Sequence, residues 1–300
     1  MPAAHDSLAT MSVSFLPAIN VKTFSDEERG LSLRQLSYLT NVYVELKPDN
    51  IDDAPAYLRE TIGLYETHFD VAAVESLDDI ISLLDSGASK VFVTLRQLEQ
   101  LVASGVDESR LIRKIEAKNP TSFGNACANA EHPVLLKDVA DAEALEREIR
   151  KAKDDPLHSK HGLIYIRLKN PNEQDAMLLA KAGAVPIVPA SKLTIDKKAH
   201  PDLISAPDVF MANAHSDRPD GLLPTIVTDE RGISLGLVYS SKESVIESLR
   251  TGRGVYQSRK RGLWRKGETS GDIQELINLR LDCDYDTLSF MVKQKGRGKS

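Results

Sequence analysis

Short apolar runs alternate with amphipathic stretches through the first 205 residues, and that rhythm restricts the fold more than any other feature of the chain. Strand-like runs at Val13–Ile19, Leu39–Leu46, Lys90–Thr94, Leu163–Leu168 and Val185–Val188 change their hydrophobic period from two to 3.6 in the stretches between them. Those stretches, near Ala54–Tyr65, Asp78–Leu84, Leu95–Ser104, Ala142–Ala152 and Glu173–Ala182, read as helices. Gly87, Gly105 and Gly183 stand just past three of them, where a left-handed residue ends a helix. Strands alternating with helices predict an α/β domain with a mostly parallel sheet over 1–205. LLDSGASKVFV and LAKAGAVPIVP share a helix-Gly-Ala-strand pattern, which is too common in α/β folds to prove duplication. No glycine-rich nucleotide fingerprint or P-loop occurs there, so a scaffold is the leading expectation and a ligand-binding or regulatory role the other.

Pro207 and the polar run Asn213–Ser216 mark a boundary, and 216–300 changes character. Strands Leu222–Thr228 and Ile233–Tyr239 flank a four-residue turn ending in Gly232. Ser240 with Glu243 forms an expected capping box for a helix that buries Val245, Ile246 and Leu249 and stops before Gly252. This second domain is expected to be smaller, α+β and mainly antiparallel.

The chemistry is concentrated between Gly254 and Asp286. Ile277, Leu279, Leu281, Cys283 and Tyr285 alternate with Asn278, Arg280, Asp282, Asp284 and Asp286, which predicts a strand with two unlike faces. Three carboxylates about 7 Å apart along one face suit a hard cation such as Mg²⁺, or form an acidic edge that discourages strand-to-strand aggregation. Cys283 would point to the opposite, apolar face, either as a small hydrophobe or as a soft ligand for Zn²⁺. Upstream, Lys266, Gly267, Glu268, Thr269, Ser270 and Gly271 combine backbone freedom, hydroxyls and a cation in the manner of an oxyanion cradle. Arg259, Lys260, Arg261 and Arg265 add local positive charge to a chain whose net charge is −6, unless they only decorate a solvated hairpin turn. Trp264, the one tryptophan, either stacks on a base or fills the core.

Tyr256, Ser258-Arg259, Arg261, Leu263-Trp264 and Lys266–Gly271, followed by Asp282–Asp286, together resemble the signature of the phosphoribosyl-AMP cyclohydrolase family. The resemblance extends back to Arg218, and the long preceding extension resembles the N-terminal part of fungal trifunctional histidine-biosynthesis proteins. It implies hydrolysis of the N1–C6 bond of the adenine ring of phosphoribosyl-AMP by zinc-activated water. Cys283 would be a zinc ligand, and Asp282, Asp284 and Asp286 the Mg²⁺ ligands. Arg259, Arg261, Trp264, Lys266, Gly267, Thr269, Ser270 and Gly271 would hold the substrate, and Glu268 would orient water. A homodimer is implied as well.

The family also places two further zinc cysteines in a Cys-His pair and a later Ser-Cys-Phe, which these 300 residues do not contain. The expectation is therefore a C-terminally truncated cyclohydrolase domain that turns over poorly alone. Its alternative is an inactive phosphate- and Mg²⁺-binding or assembly module. Cys127 and the pair His158 and His161 are weak substitutes for the absent ligands. Two cysteines argue against a disulfide framework and for a reducing, cytoplasmic setting. The acidic charge disfavours nucleic acid as a partner, and no apolar run approaches a membrane span.

Overall fold

A computed structural model describes residues 13–21, 33–116, 133–154 and 162–296. It divides into two units that interleave in sequence, one of Ser14–Arg29 with Thr40–Leu193, the other of Gly30–Leu39 with Thr194–Ser300 and the first residues.

In the first unit the parallel sheet closes on itself. Strands β1 (Leu16–Ile19), β2 (Val42–Glu45), β3 (Thr67–Asp70), β4 (Lys90–Val93), β5 (Leu111–Glu116), β6 (Val134–Val139), β7 (Ile164–Leu168) and β8 (Val185–Pro189) form a barrel. Leu16 pairs with Ile187 to seal it. The short helix α1 (Leu33–Ser37) precedes β2 in the chain but belongs to the second unit, and α2 (Ala54–Thr61), α3 (Leu77–Asp85), α4 (Leu95–Ala103), α5 (Ala142–Asp154) and α6 (Glu173–Lys181) follow strands of the first. Among the described residues this is a TIM-like arrangement, a closed parallel barrel with helices following its strands. The α/β expectation holds; closure into a barrel was not part of it.

Local chemistry sets the helix starts. Ser76 accepts from the Asp79 amide to open α3, and Thr94 and Gln97 cap each other's backbone to open α4. Alternate strand residues serve two cores. Val42, Val44, Phe69, Val71, Val91 and Val93 pack with the helix residues Tyr57, Ile80, Leu84 and Leu101. Their neighbours turn into the lumen, where the Tyr43 and Phe92 rings lie 5.3 Å apart and Phe92 and Tyr165 5.2 Å apart. Burial on both faces explains the near-continuous apolar runs. Thr67–Asp70, sequence THFD, is a wholly buried strand that its two titratable residues conceal.

The second unit holds α7 (Ala206–Phe210), β9 (Leu223–Thr228), β10 (Ser234–Ser240), α8 (Lys242–Thr251), β11 (Val255–Ser258), β12 (Gly262–Arg265), β13 (Gln274–Leu281) and β14 (Leu288–Gln294). Four of these strands form one sheet in the order β10-β9-β14-β13, while β11 and β12 form a separate hairpin. The β9–β14 pair is parallel and the other pairs are antiparallel, so the sheet is mixed. The capping box lies one residue later than expected, on Ser241 with Ser244. Gly252 ends α8 at φ 63°. Tyr38, just past α1, belongs to this unit: its carbonyl accepts from the Leu279 amide at 2.6 Å, continuing the pairing beyond β13. Among the described residues no helix is long and apolar enough to cross a membrane.

Candidate functional site

The strand that carries the acidic residues is shorter than its alternation predicts. A bulge between Leu276 and Asn278 shifts the register, so Leu276 shares the buried face with Leu279 and Leu281 while Ile277 falls out of phase. β13 ends at Leu281, and Asp282, Cys283, Asp284, Tyr285 and Asp286 form the turn into β14. Two expectations are corrected here. The carboxylates project from a turn and not from one strand face, and Cys283 is exposed and not on an apolar face.

The turn brings the carboxylates closer together than a strand would. Tyr285 adopts φ 64°, in the left-handed region that bulky residues avoid, and its carbonyl accepts from the His215 amide at 3.1 Å. The Thr287 amide donates to Asp282 Oδ1 at 3.1 Å and its hydroxyl to Asp286 Oδ1 at 2.8 Å. One oxygen from each of Asp282, Asp284 and Asp286 lies within 4.8 Å of the others. Burial first, then the charges of Asp284 and Asp286, raise the pKa of Asp282 against the Thr287 amide bond that lowers it. A repulsive cluster of hard oxygens at this spacing fits Mg²⁺. Zinc does not fit in the same way: Cys283 offers one thiolate, and among the described residues no other soft ligand converges on it. Cys127, His158 and His161 lie outside the described residues.

The signature upstream divides between two clefts. The Lys266–Gly271 loop turns at Gly267, φ 85°, where a Cβ would stand 2.6 Å from the Asp272 backbone. Only glycine fits so close an approach. Lys266, Gly267 and Glu268 line a cleft of about 550 Å³ with Arg253, Gly254 and Arg265. Arg259, Lys260 and Trp264 line another, of about 480 Å³, with Tyr239 and Gln257. Thr269, Ser270 and Gly271 are exposed, and the Ser270 hydroxyl accepts from the Asp272 amide at 3.3 Å. Arg261 is exposed on the turn between β11 and β12, where Ser258 Oγ accepts from the amides of Lys260 and Arg261. The solvated hairpin, one of the two expectations, is therefore the local structure of this basic run.

Trp264 is half-buried, 6.1 Å from Tyr256 by ring centroids, with Lys266 Nζ 5.5 Å from its ring. The tryptophan lines one cleft and a lysine of the other cleft rests on its ring. Arg265 is held by Glu247, whose pKa is lowered chiefly by hydrogen bonds from Arg250 and then Arg265. The sequence reading missed Tyr239, over whose ring Arg218 and Arg259 lie at 4.3 and 5.4 Å from the centroid. No local spacing marks it, because residues from three separate stretches meet there.

Residues 236–299 match the phosphoribosyl-AMP cyclohydrolase family. The chain is 43% identical over 296 residues to a histidine biosynthesis trifunctional protein of Neurospora crassa, a match covering 96% of this chain and 32% of that protein. It is 33% identical over 294 residues to the histidine biosynthesis bifunctional protein his7 of Schizosaccharomyces pombe, covering 95% of this chain and 69% of the relative. A phosphoribosyl-AMP cyclohydrolase of Alkalilimnicola ehrlichii is 51% identical over 78 residues, 25% of this chain and 55% of that protein. The chain thus spans about a third of the length of the Neurospora relative.

Proposed function

The chain belongs to the family of fungal histidine-biosynthesis proteins that includes the bifunctional his7 protein, with a phosphoribosyl-AMP cyclohydrolase domain at 236–299, and on that premise we propose that its second unit hydrolyses the N1–C6 bond of phosphoribosyl-AMP. The observation that carries this reading is the convergence of Asp282, Asp284 and Asp286 within 4.8 Å on the turn of the family signature. Asp282, Asp284 and Asp286 would hold Mg²⁺ there, and its charge would neutralise phosphoryl oxygens of the substrate.

The two clefts suit a substrate with two phosphoryl groups. Arg259 and Lys260 receive one phosphoryl group; Lys266 and the backbone at Gly267 receive the other. Trp264 offers its face to the adenine ring. Arg261, Thr269, Ser270 and Gly271 are exposed positions from which the substrate can be contacted. Glu268 lines the larger cleft with its carboxylate free to orient a water and take its proton. Cys283 would offer zinc one ligand, and the described residues form no zinc centre around it. Ile226, Leu235 and Leu237 expose apolar side chains on β9 and the edge strand β10, a surface that supports association of two copies.

Asp284 is the exposed member of the triad and the one to change. Asp284→Asn is expected to weaken Mg²⁺ binding by about tenfold in a calorimetric titration, with proportional loss of absorbance-monitored hydrolysis of phosphoribosyl-AMP. If the unmodified chain binds the substrate with Mg²⁺ yet never opens the ring, hydrolysis by this chain is wrong and the binding-module reading stands.

A further inference from the structure

The barrel carries a second charged site that the cyclohydrolase chemistry does not use. Glu45 and Asp70 are the last residues of β2 and β3 and are register partners. Lys137 and Arg167, near the ends of β6 and β7, are also register partners. These side chains meet across the lumen between strands that are not neighbours. Glu45 accepts from Lys137 at 3.2 Å and from Arg167 at 2.5 Å, and Lys114 of β5 donates to Asp70 at 3.1 and 2.8 Å. The Tyr43 hydroxyl donates to Asp70 at 2.6 Å, and the Arg167 guanidinium lies 5.8 Å from the Tyr43 ring centroid. Below this layer the Phe92, His68 and Tyr165 rings pack against one another and close the floor.

Depth grades the network. Asp70 is 1% exposed, whereas Lys137, Glu45 and Arg167 keep 25%, 28% and 32% of their side-chain surface in solvent. A barrel interior is ordinarily filled by branched aliphatic side chains, and burying ion pairs there seldom adds stability over an apolar filling. Binding sites of such barrels lie at the C-terminal ends of the strands, which is where these charges stand. The backbone is unusual at the same end: β6 bulges after Lys137, and Asp138 takes φ 60°. Burial resists ionisation of Glu45, but hydrogen bonds and charge from Arg167, then Lys137, outweigh it and hold the carboxyl below its usual range.

Among the described side chains of this network three cations face two carboxylates, and Lys137 and Arg167 both donate to the part-buried Glu45. We propose that the C-terminal mouth of the barrel binds the phosphate of a small organic phosphate ester, with Lys137 and Arg167 as the anion donors and Glu45 as the internal anion it displaces. Asp70, 1% exposed, accepts from Tyr43, Lys114 and the Ala72 amide and so anchors the network beneath the ligand.

The test is calorimetric titration of the whole chain carrying Lys266→Ala, which silences a candidate phosphate cleft of the other unit, with ribose 5-phosphate and with inorganic phosphate. Saturable binding of the ester is expected, weakened about tenfold by Arg167→Gln and tightened by Glu45→Gln, because the second change removes the competitor. Glu45→Gln is the safeguard if Arg167→Gln fails to fold, as judged by circular dichroism. Its melting temperature should rise with added ester more than that of the parent. Absence of saturable heat, or affinity unmoved by Glu45→Gln, would overturn the proposal and leave the network as structure only. Failure of the cyclohydrolase reading leaves the Arg167→Gln and Glu45→Gln outcomes unchanged, since both residues belong to barrel strands outside 236–299.

Discussion

His68 shows how much one residue can hold back. Its ring is buried, neither nitrogen has a partner among the described residues, and burial, helped by the charge of Lys90, pushes its pKa down to about 3. The unfolded chain titrates this group near pH 6.5. Between the two values the unfolded state binds a proton that the folded state refuses, so stability from this group is complete above about 6.5 and is lost as pH falls toward 3. The slope approaches about 1.4 kcal/mol per pH unit. His68→Leu should flatten the acid limb of a stability-versus-pH curve measured by urea unfolding; an unchanged limb would show that the imidazole is hydrated. Residue identities in the signature were legible because carboxylates, glycines and cations each have a narrow chemical use. Their placement was less so. The alternation through Asp286 persists after the strand has ended, and nothing local announces that Tyr285 turns left-handed.

At the scale of elements, the helix ends closed by Gly87, Gly105 and Gly183 were the most legible, since a glycine acts within a few residues, whereas the Thr94–Gln97 capping box was not read from the sequence. Ser241 replaced the expected Ser240 as the cap because adjacent serines offer the same hydroxyl and only the backbone chooses. Strands were harder. The bulge at Ile277 breaks the period on which their recognition depends, and Thr67–Asp70 hides two titratable side chains in a fully buried strand. The edge strand β10 supports a prediction of its own. Leu237 is 65% exposed on it, so Leu237→Lys should shift the protein toward monomer in light scattering without lowering its melting temperature. Loss of folding in place of association would assign that leucine to the interior.

For the whole molecule, closure of the barrel depends on Leu16 meeting Ile187, a pairing with no local mark in the sequence. The composition of the second unit was equally hidden, because Gly30–Leu39 joins Thr194–Ser300 across the span that builds β2–β8 of the barrel. A fragment of 194–300 lacks the Tyr38 carbonyl that receives the Leu279 amide, and also the Tyr38 hydroxyl whose oxygen would stand 2.8 Å from a Cβ at Gly252. It should melt below the same unit in the intact chain, followed by Trp264 fluorescence, and a synthetic peptide of 30–39 should recover part of the difference. Equal melting would make the segment dispensable.

The Tyr38 contact also has an order in time. Synthesis delivers Tyr38 before strands β2–β8 and Leu279 after them, so while those strands are made the earlier segment waits with its carbonyl unclaimed by Leu279. Ancestral recombination faces the same arrangement: a crossover that carried only the later residues to another gene would leave behind the piece that finishes the edge.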